Sequence, residues 1–380
     1  MVLTIVIGVA LSAIVVLAFE LLCRLWLWHD ARYFAFAPRS ERRYELDAVA
    51  LPQLPSRVAV RINSDGERAD EYGSDRGTFR VLVAGGSAAQ CLYIDQRSMW
   101  PTLVQHNLGS SEALGALGAA RVHVGSIGKS GIHSAAVHLI LRRVLPRYPR
   151  IDAIVLMIGA GEALRWIAND APPDGIPAPD VSECFEAHPE HIYRFAPRTS
   201  AIADIAKRLR SRFRAERRTR VGRWLERARA LRNNPPELRT TIADPTRMLA
   251  EYEAALGEII ALAKAKARYV LVARQPWFQK AEFTADEKSL FWNFGVEEGS
   301  GGDSSTFYGG EVVDDLLERI DACSSRVARR SGVGDLDLRP LLTPSTANYY
   351  DQFHFTVEGN RIVAVAVAER LLALVRGDGK

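Results

Sequence analysis

The chain has 380 residues, of which 48% are apolar and 25% are charged. This composition excludes a chain that is disordered throughout, and the length suits one large α/β domain with attachments. The formal net charge is only +4, yet residues 207–232 hold twelve basic and two acidic residues. One segment is therefore strongly basic, and the rest of the protein is mildly acidic.

The amino terminus is apolar and long. Residues 2–19 are an unbroken run of apolar and small residues, and the run resumes at residue 21 after Glu20. About 20 apolar residues suffice to span a bilayer, so we predict a transmembrane anchor over residues 1–28. A cleaved signal peptide is the weaker alternative, because no basic residue precedes the run. Glu20 and Arg24 are four residues apart and are expected to pair.

The membrane orientation follows from the basic residues beside the anchor. Arg24, Arg32, Arg39, Arg42 and Arg43 all follow the apolar run, and no Lys or Arg precedes it. The positive-inside rule then places the large domain in the cytoplasm.

The cysteines suggest no metal site. Cys23, Cys91, Cys184 and Cys323 are far apart and form no CxxC pair. This spacing excludes a dense disulfide framework, although a single disulfide stays open. We expect neither a metal nor a cofactor.

Elements beyond residue 78 alternate between strand and helix. Residues 29–78 are expected to be a linker or approach segment, and residues 79–380 the main domain. Short β-rich runs predict strands at residues 79–84, 121–125, 153–158, 269–273 and 336–338. Helical spacing predicts helices at residues 134–144, 248–265 and 359–375. This alternation predicts a three-layer α/β/α sandwich with a parallel, flavodoxin-like sheet, whose site lies at the carboxyl ends of the strands.

Candidate catalytic residues follow these strands. Ser87 comes after Gly85 and Gly86, where the chain turns sharply and a following helix would direct free N–H groups at the reacting atoms. Asp351 and His354 are three residues apart, so the carboxylate can orient the imidazole as a base for a serine. The glycine-rich loop at residues 125–131 offers backbone amides for an oxyanion.

Together these residues resemble the SGNH (GDSL-like) hydrolase family, and in particular its membrane-anchored type. The nucleophile block matches Gly85-Gly86-Ser87, the oxyanion glycine of the second block matches Gly128, and the last block matches Asp351 and His354. Further matches are Thr356, Gly359, Asn360, Asn63, Gly66, Arg68, Trp100, Pro101, Glu20 and Arg24. The third block departs from the family, because Gly161 occupies the place of an Asn that donates to the oxyanion.

The resemblance implies a serine esterase acting on an ester-bearing small molecule, a glycan or a lipid. Ser87, His354 and Asp351 would form the triad, and the amides of Ser87 and Gly128 the oxyanion hole. Two alternatives stay open: an O-acyltransferase of the same fold, and a catalytically weak binding protein, which the missing Asn suggests. The family's habit also places anchored members outside the cytoplasm, opposite to the charge rule.

An insertion at about residues 170–245 carries the basic segment. Apolar residues recur there at helical spacing, at Ile202, Ile205, Leu209, Phe213, Val221, Trp224, Leu225 and Ala228. Three interpretations compete: a solvated helix packed on the domain, a helix at an anionic membrane surface, and a site for an acidic polymer. We do not expect nucleic acid to bind, because no aromatic stacking platform accompanies the charge.

Overall fold

The computed structural model describes residues 2–29, 32–73, 76–189, 200–203, 205–206, 209, 218–297 and 304–378. Its strands are β1 (Glu41–Leu46), β2 (Arg57–Arg61), β3 (Thr78–Gly85), β4 (Arg121–Ser126), β5 (Ala153–Met157), β6 (Arg218–Val221), β7 (Glu237–Arg239), β8 (Tyr269–Arg274), β9 (Thr306–Tyr308) and β10 (Gly334–Asp337). Its helices are α1 (Val2–His29), α2 (Ser87–Gln90), α3 (Trp100–Leu108), α4 (Ser111–Leu117), α5 (Ser134–Val144), α6 (Ala160–Ala168), α7 (Val181–Cys184), α8 (Arg223–Asn233), α9 (Thr246–Lys266), α10 (Ala285–Ser289), α11 (Gly310–Arg330) and α12 (Val357–Asp378).

The central sheet has five strands in the order β10-β8-β5-β3-β4, and all neighbouring pairs are parallel. Strands β3, β5 and β8 are buried along their whole length, which explains their unbroken apolar sequences. Helices α3, α4 and α12 pack on one face, and α5, α9 and α11 pack on the other. The predicted α/β/α architecture with a flavodoxin-like parallel sheet is therefore confirmed.

The predicted linker contains two strands that the sequence did not reveal. Strand β1 pairs with β2 in antiparallel register and with β6 of the insertion in parallel register. Both β1 and β2 carry several charged residues and are only partly buried, so they lack the apolar runs of the central strands. This side sheet joins the approach segment to the insertion.

The insertion is not helical throughout. Val221 ends strand β6, so the helical spacing does not continue through it. Trp224, Leu225 and Ala228 do share helix α8, and Ile202, Ile205 and Leu209 are also helical. Phe213 and much of the basic segment lie outside the described residues. Strand β7 pairs with β9 and closes a second small sheet.

One N-terminal helix is long and apolar enough to cross a membrane. The most apolar 18 residues of Thr4–Leu27 have a mean hydropathy of 2.7 and are not covered by other residues. The helix could be a signal sequence or a single-pass anchor. Glu20 and Arg24 pair at 2.8 Å, as predicted. The four cysteines are buried and unpaired.

The approach segment adds to the edge of the central sheet through Arg68. Its N–H donates to the carbonyl of Ser126 at 2.8 Å, and the pair forms an antiparallel bridge beside β4. Next to it, the buried Glu67 accepts from His123 at 2.9 Å and from Arg80 at 3.1 Å. Burial alone would raise the pKa of Glu67, but His123, Arg80 and Asn63 lower it to about 2. A buried charged network thus fixes this segment on the sheet.

Candidate active site

Ser87 is the first residue of α2, immediately after the carboxyl end of β3. The turn before it requires glycine, because Gly85 has a φ of +153° and a Cβ there would lie 1.9 Å from the carbonyl oxygen of Met157. Ser87 itself is partly exposed. The helix behind it has only four residues, so the expected contribution of a helix dipole is not supported, and only local amides remain.

Buried side chains hold this short helix in place. The indole N–H of Trp100 donates to the carbonyl of Ala88 at 3.0 Å. Arg68 is 1% exposed. Its guanidinium donates to the carbonyls of Gln90, Cys91 and Ile94, which follow Ser87, and to the side chain of Gln96. The end of α2 and the residues that follow it are therefore fixed by the approach segment.

The structure brings Ser87, His354 and Asp351 into one hydrogen-bonded chain. Ser87 Oγ lies 2.7 Å from His354 Nε2, and His354 Nδ1 lies 2.6 Å from Asp351 Oδ2. Both distances are within the reach expected of a nucleophile, its base and the group that orients the base. With the Nδ1 proton directed at the carboxylate, Nε2 is left to accept the serine proton.

Asp351 is fully buried, yet its carboxylate is well supplied with donors. Oδ1 accepts the N–H groups of Phe353 at 3.0 Å and His354 at 2.9 Å, and Oδ2 accepts Trp292 Nε1 at 2.9 Å. Burial would raise the pKa of Asp351, but the charge and side-chain hydrogen bond of His354, together with the N–H groups of Phe353 and His354, outweigh burial and lower it. The carboxylate therefore stays ionised at neutral pH.

Aromatic rings shield Asp351 and His354 from water. Tyr349, Tyr350, Phe353 and Phe355 are at most 3% exposed. The ring of Tyr350 stacks on His354 with centroids 5.5 Å apart. Asp351 and His354 are thus held in a low-dielectric environment, where their interaction is strengthened.

Asn360 of the last sequence block has a structural role. Its side-chain oxygen accepts the N–H of Trp100 at 2.9 Å, and its amide donates to the carbonyls of Phe355 at 3.2 Å and Thr356 at 2.8 Å. Because Trp100 also contacts α2, Asn360 connects the loop that carries His354 to the helix that begins at Ser87.

Of the two predicted oxyanion donors, the amide of Gly128 already makes a hydrogen bond. Gly128 packs against Ala89 and Gln90 of α2, but its N–H donates to Ser126 Oγ at 3.2 Å. The hydroxyl of Ser126 in turn donates to the carbonyl of Ala89 at 2.8 Å. An oxyanion role for the amides of Ser87 and Gly128 stays a prediction. For Gly128 it requires the N–H to release Ser126 Oγ and bind the oxyanion instead.

The third sequence block is packed too tightly for the family's Asn. A Cβ at Gly161 would lie 2.1 Å from the carbonyl oxygen of Ile132. The next residue, Glu162, is buried and accepts the N–H of Ser134 at 2.7 Å and its hydroxyl at 2.6 Å. Burial raises the pKa of Glu162 to about 7 despite these bonds. This block therefore joins the starts of α5 and α6.

Sequence reasoning missed two residues near the triad, Trp292 and Arg229. Trp292 contacts Asp351 from a segment between β8 and β9, and Arg229 reaches the same loop from α8 of the insertion. The aromatic run at residues 291–294 was the available signal for Trp292. Arg229 had none, since it is one of twelve basic residues in its segment.

Comparisons with known proteins find similar folds only. No protein-family model matches the sequence, and no curated protein matches it. Among solved structures, the chain is similar to a member of the lipolytic G-D-S-L family from Veillonella parvula, with a TM-score of 0.41 and 9% identity, covering 77% of this chain and 97% of that chain.

Two other similar structures are enzymes by their descriptions. An acetylxylan esterase from Geobacillus stearothermophilus has a TM-score of 0.40 and 12% identity, with 77% of this chain and 94% of that chain covered. A lipase/acylhydrolase from Enterococcus faecalis has a TM-score of 0.39 and 11% identity, with 78% and 96% covered. Similarities this weak support no argument about function, which must depend on the geometry of the site.

Proposed function

We propose that this protein is a serine hydrolase of carboxylic esters, with Ser87, His354 and Asp351 as its catalytic triad. The observation that supports the proposal is the hydrogen-bonded chain that joins the three side chains, with distances of 2.7 and 2.6 Å. The partial exposure of Ser87 beside the buried Asp351 is what such chemistry requires. Ser87 must be accessible to the substrate, and the carboxylate of Asp351 must be shielded from water.

The reaction would proceed through an acyl-enzyme. Ser87 Oγ attacks the ester carbonyl carbon while His354 Nε2 takes its proton, and Asp351 stabilises the imidazolium that forms. The amides of Ser87 and Gly128 would stabilise the tetrahedral oxyanion. His354 then returns the proton to the leaving alcohol. A water, deprotonated by His354, releases the acid and restores Ser87.

The test is covalent labelling together with turnover. A fluorophosphonate probe should label the wild-type protein and fail to label Ser87→Ala, whereas the exposed control Ser182→Ala should label normally. On a p-nitrophenyl ester, Ser87→Ala and His354→Ala should lose roughly 10⁶-fold in kcat and Asp351→Ala roughly 10⁴-fold, as in other triads. Full activity in Ser87→Ala would end the hydrolase proposal.

We also infer that α1 is retained as a single-pass anchor. Glu20 accepts the hydroxyl of Ser200 at 2.8 Å and the N–H groups of Ala201 at 2.7 Å and Ile202 at 3.1 Å. Cys23 packs in a small apolar cluster with Ala201. These tertiary contacts support retention, because a segment destined for cleavage would not need them. Intact-mass measurement of the protein from membranes tests this inference, and a mass lacking α1 would contradict it.

A further inference from the structure

The inserted helix α8 reaches the catalytic loop through a buried arginine. Arg229 is 8% exposed, and its guanidinium donates to the carbonyl of Leu290 at 3.1 Å, to that of Tyr350 at 3.3 Å, and to that of Ala50. Tyr350 directly precedes Asp351. A planar guanidinium has several donors in a fixed arrangement, so Arg229 fixes the segment after Leu290 and the loop after Tyr350 relative to each other.

The segment after Leu290 carries a direct contact to the triad. Trp292 Nε1 donates to Asp351 Oδ2 at 2.9 Å, which is the same oxygen that accepts His354 Nδ1 at 2.6 Å. The indole also lies nearly parallel to the imidazole, with an interplanar angle of 13°. Trp292 therefore fixes the position of the one oxygen atom that orients the catalytic base.

Helix α8 also contacts the indole of Trp292 directly. Trp224 packs edge-on against Trp292, with ring centroids 5.1 Å apart and an interplanar angle of 83°. Edge-to-face pairs of this kind add to stability beyond the apolar area they bury. Trp292 is thus held from one side by Trp224 and, through the preceding backbone, by Arg229.

Without Trp292, one side of the carboxylate loses its second donor. The backbone N–H groups of Phe353 and His354 would still hold Oδ1, but Oδ2 would depend on the imidazole alone. The carboxylate could then turn about the Oδ1 side, and the imidazole that it orients would lose its fixed direction towards Ser87. The effect should fall on the chemical step and spare substrate binding.

We propose that Trp292 is a positioning residue for the catalytic triad, and that the inserted helix α8 holds it in place through Arg229 and Trp224. The insertion is on this view a part of the active site's framework and not a peripheral attachment. The inference rests on the proposed hydrolase function, since it assigns a role to a residue around the same triad.

The direct test removes the indole N–H and keeps an aromatic ring. Trp292→Phe should lower kcat by about tenfold with KM unchanged, in line with the loss of a hydrogen bond to a charged group. Trp277→Phe is a matched control, because Trp277 Nε1 also donates to a carboxylate, that of Asp314 at 3.2 Å, which is outside the triad. Equal kcat values for Trp292→Phe and wild type would overturn the proposal, as would an equal loss in Trp277→Phe.

The role of α8 has its own matched pair. Arg229→Lys keeps the charge but loses the planar set of donors, so kcat should fall with KM unchanged. Arg232→Lys, on the same helix, removes a bond to the carbonyl of Tyr308 and should leave kcat at the wild-type value. Thermal unfolding of each variant shows whether it is folded, and equal kcat for the two lysine variants would remove α8 from the proposal.

A spectroscopic measurement separates this inference from the hydrolase proposal. The proton between His354 Nδ1 and Asp351 should give a low-field NMR signal whether or not the protein turns over an ester. Trp292→Phe should shift or broaden that signal, and Trp277→Phe should leave it in place. An unlabelled wild-type Ser87 would end the hydrolase proposal alone, whereas an unchanged signal in Trp292→Phe would end the positioning role alone.

Discussion

The contact between Gly161 and Ile132 allows the missing Asn donor to be tested directly. An added Cβ at residue 161 would lie 2.1 Å from a backbone carbonyl oxygen, whereas favourable non-bonded contacts are about 3.5 Å. Neither a Cβ nor a carbonyl oxygen can rotate away, so the backbone of one segment must move by roughly 1 Å. Overpacking of this kind costs about 1–3 kcal/mol of unfolding free energy.

Gly161→Ala and Gly161→Asn should therefore both be destabilised, and Asn should not raise turnover. At roughly 2–4 °C per kcal/mol, the melting temperature should drop by several degrees. Circular dichroism measures the transition, and p-nitrophenyl acetate hydrolysis measures kcat. Gly115→Ala is the control, because Gly115 lies in α4 and an added Cβ there would meet open space, so alanine should hold or raise stability.

The result that would refute this reasoning is specific. If Gly161→Asn melts at the wild-type temperature and hydrolyses small esters faster, the site has room for the side chain and lacks only a donor. If it is destabilised with no gain in kcat, Gly161 is required by packing, and the oxyanion must be stabilised without an Asn at this position.

Two further predictions concern pH and the membrane. Burial raises the pKa of Glu162 from 4.5 to about 7 in the folded state, so the free energy of unfolding of the wild type should decline as pH rises through this interval. Urea unfolding at the lower and upper pH of the interval measures this decline. An equal decline in Glu162→Gln would contradict the assignment to Glu162. A chain that begins at Pro38 should stay in solution without detergent, because most of the exposed large apolar side chains among the described residues lie in α1. If it still sediments with anionic vesicles, raised salt should release it, since salt screens the attraction between the basic insertion and the vesicle surface. Sedimentation that persists in high salt would show that another apolar surface binds the membrane.

The central fold was predictable because parallel strands that are buried on both faces have continuous apolar sequences. Strands β3, β5 and β8 are apolar runs, so their positions follow from the sequence to within a residue or two. Strand β1 was not predictable, because most of its residues are charged and only partly buried or exposed. One of its partners, β6, also lies far away in the chain. Its pairing depends on tertiary contact and not on local pattern.

The same distinction applies to the candidate site. Asp351 and His354 are three residues apart, so their meeting is a local event that spacing can reveal. Trp292 lies 59 positions from Asp351, and Arg229 lies 121 positions from Tyr350. Each of these contacts uses an ordinary residue type, and only the folded chain shows that they converge. The one-turn length of α2 was also hidden, because its end depends on Arg68 and Trp100.

The position of Arg68 limits how far the chain can be shortened from its amino terminus without disturbing the turn that follows Ser87. Its guanidinium donates to three carbonyls that follow Ser87, those of Gln90, Cys91 and Ile94. A fragment that starts at Thr78 would contain every strand of the central sheet and still lack the guanidinium that donates to those carbonyls. The turn after Ser87 is thus not autonomous, because its assembly requires the docking of a segment made earlier in the chain. Heat that loosens this segment should abolish the proposed ester hydrolysis before the central sheet melts.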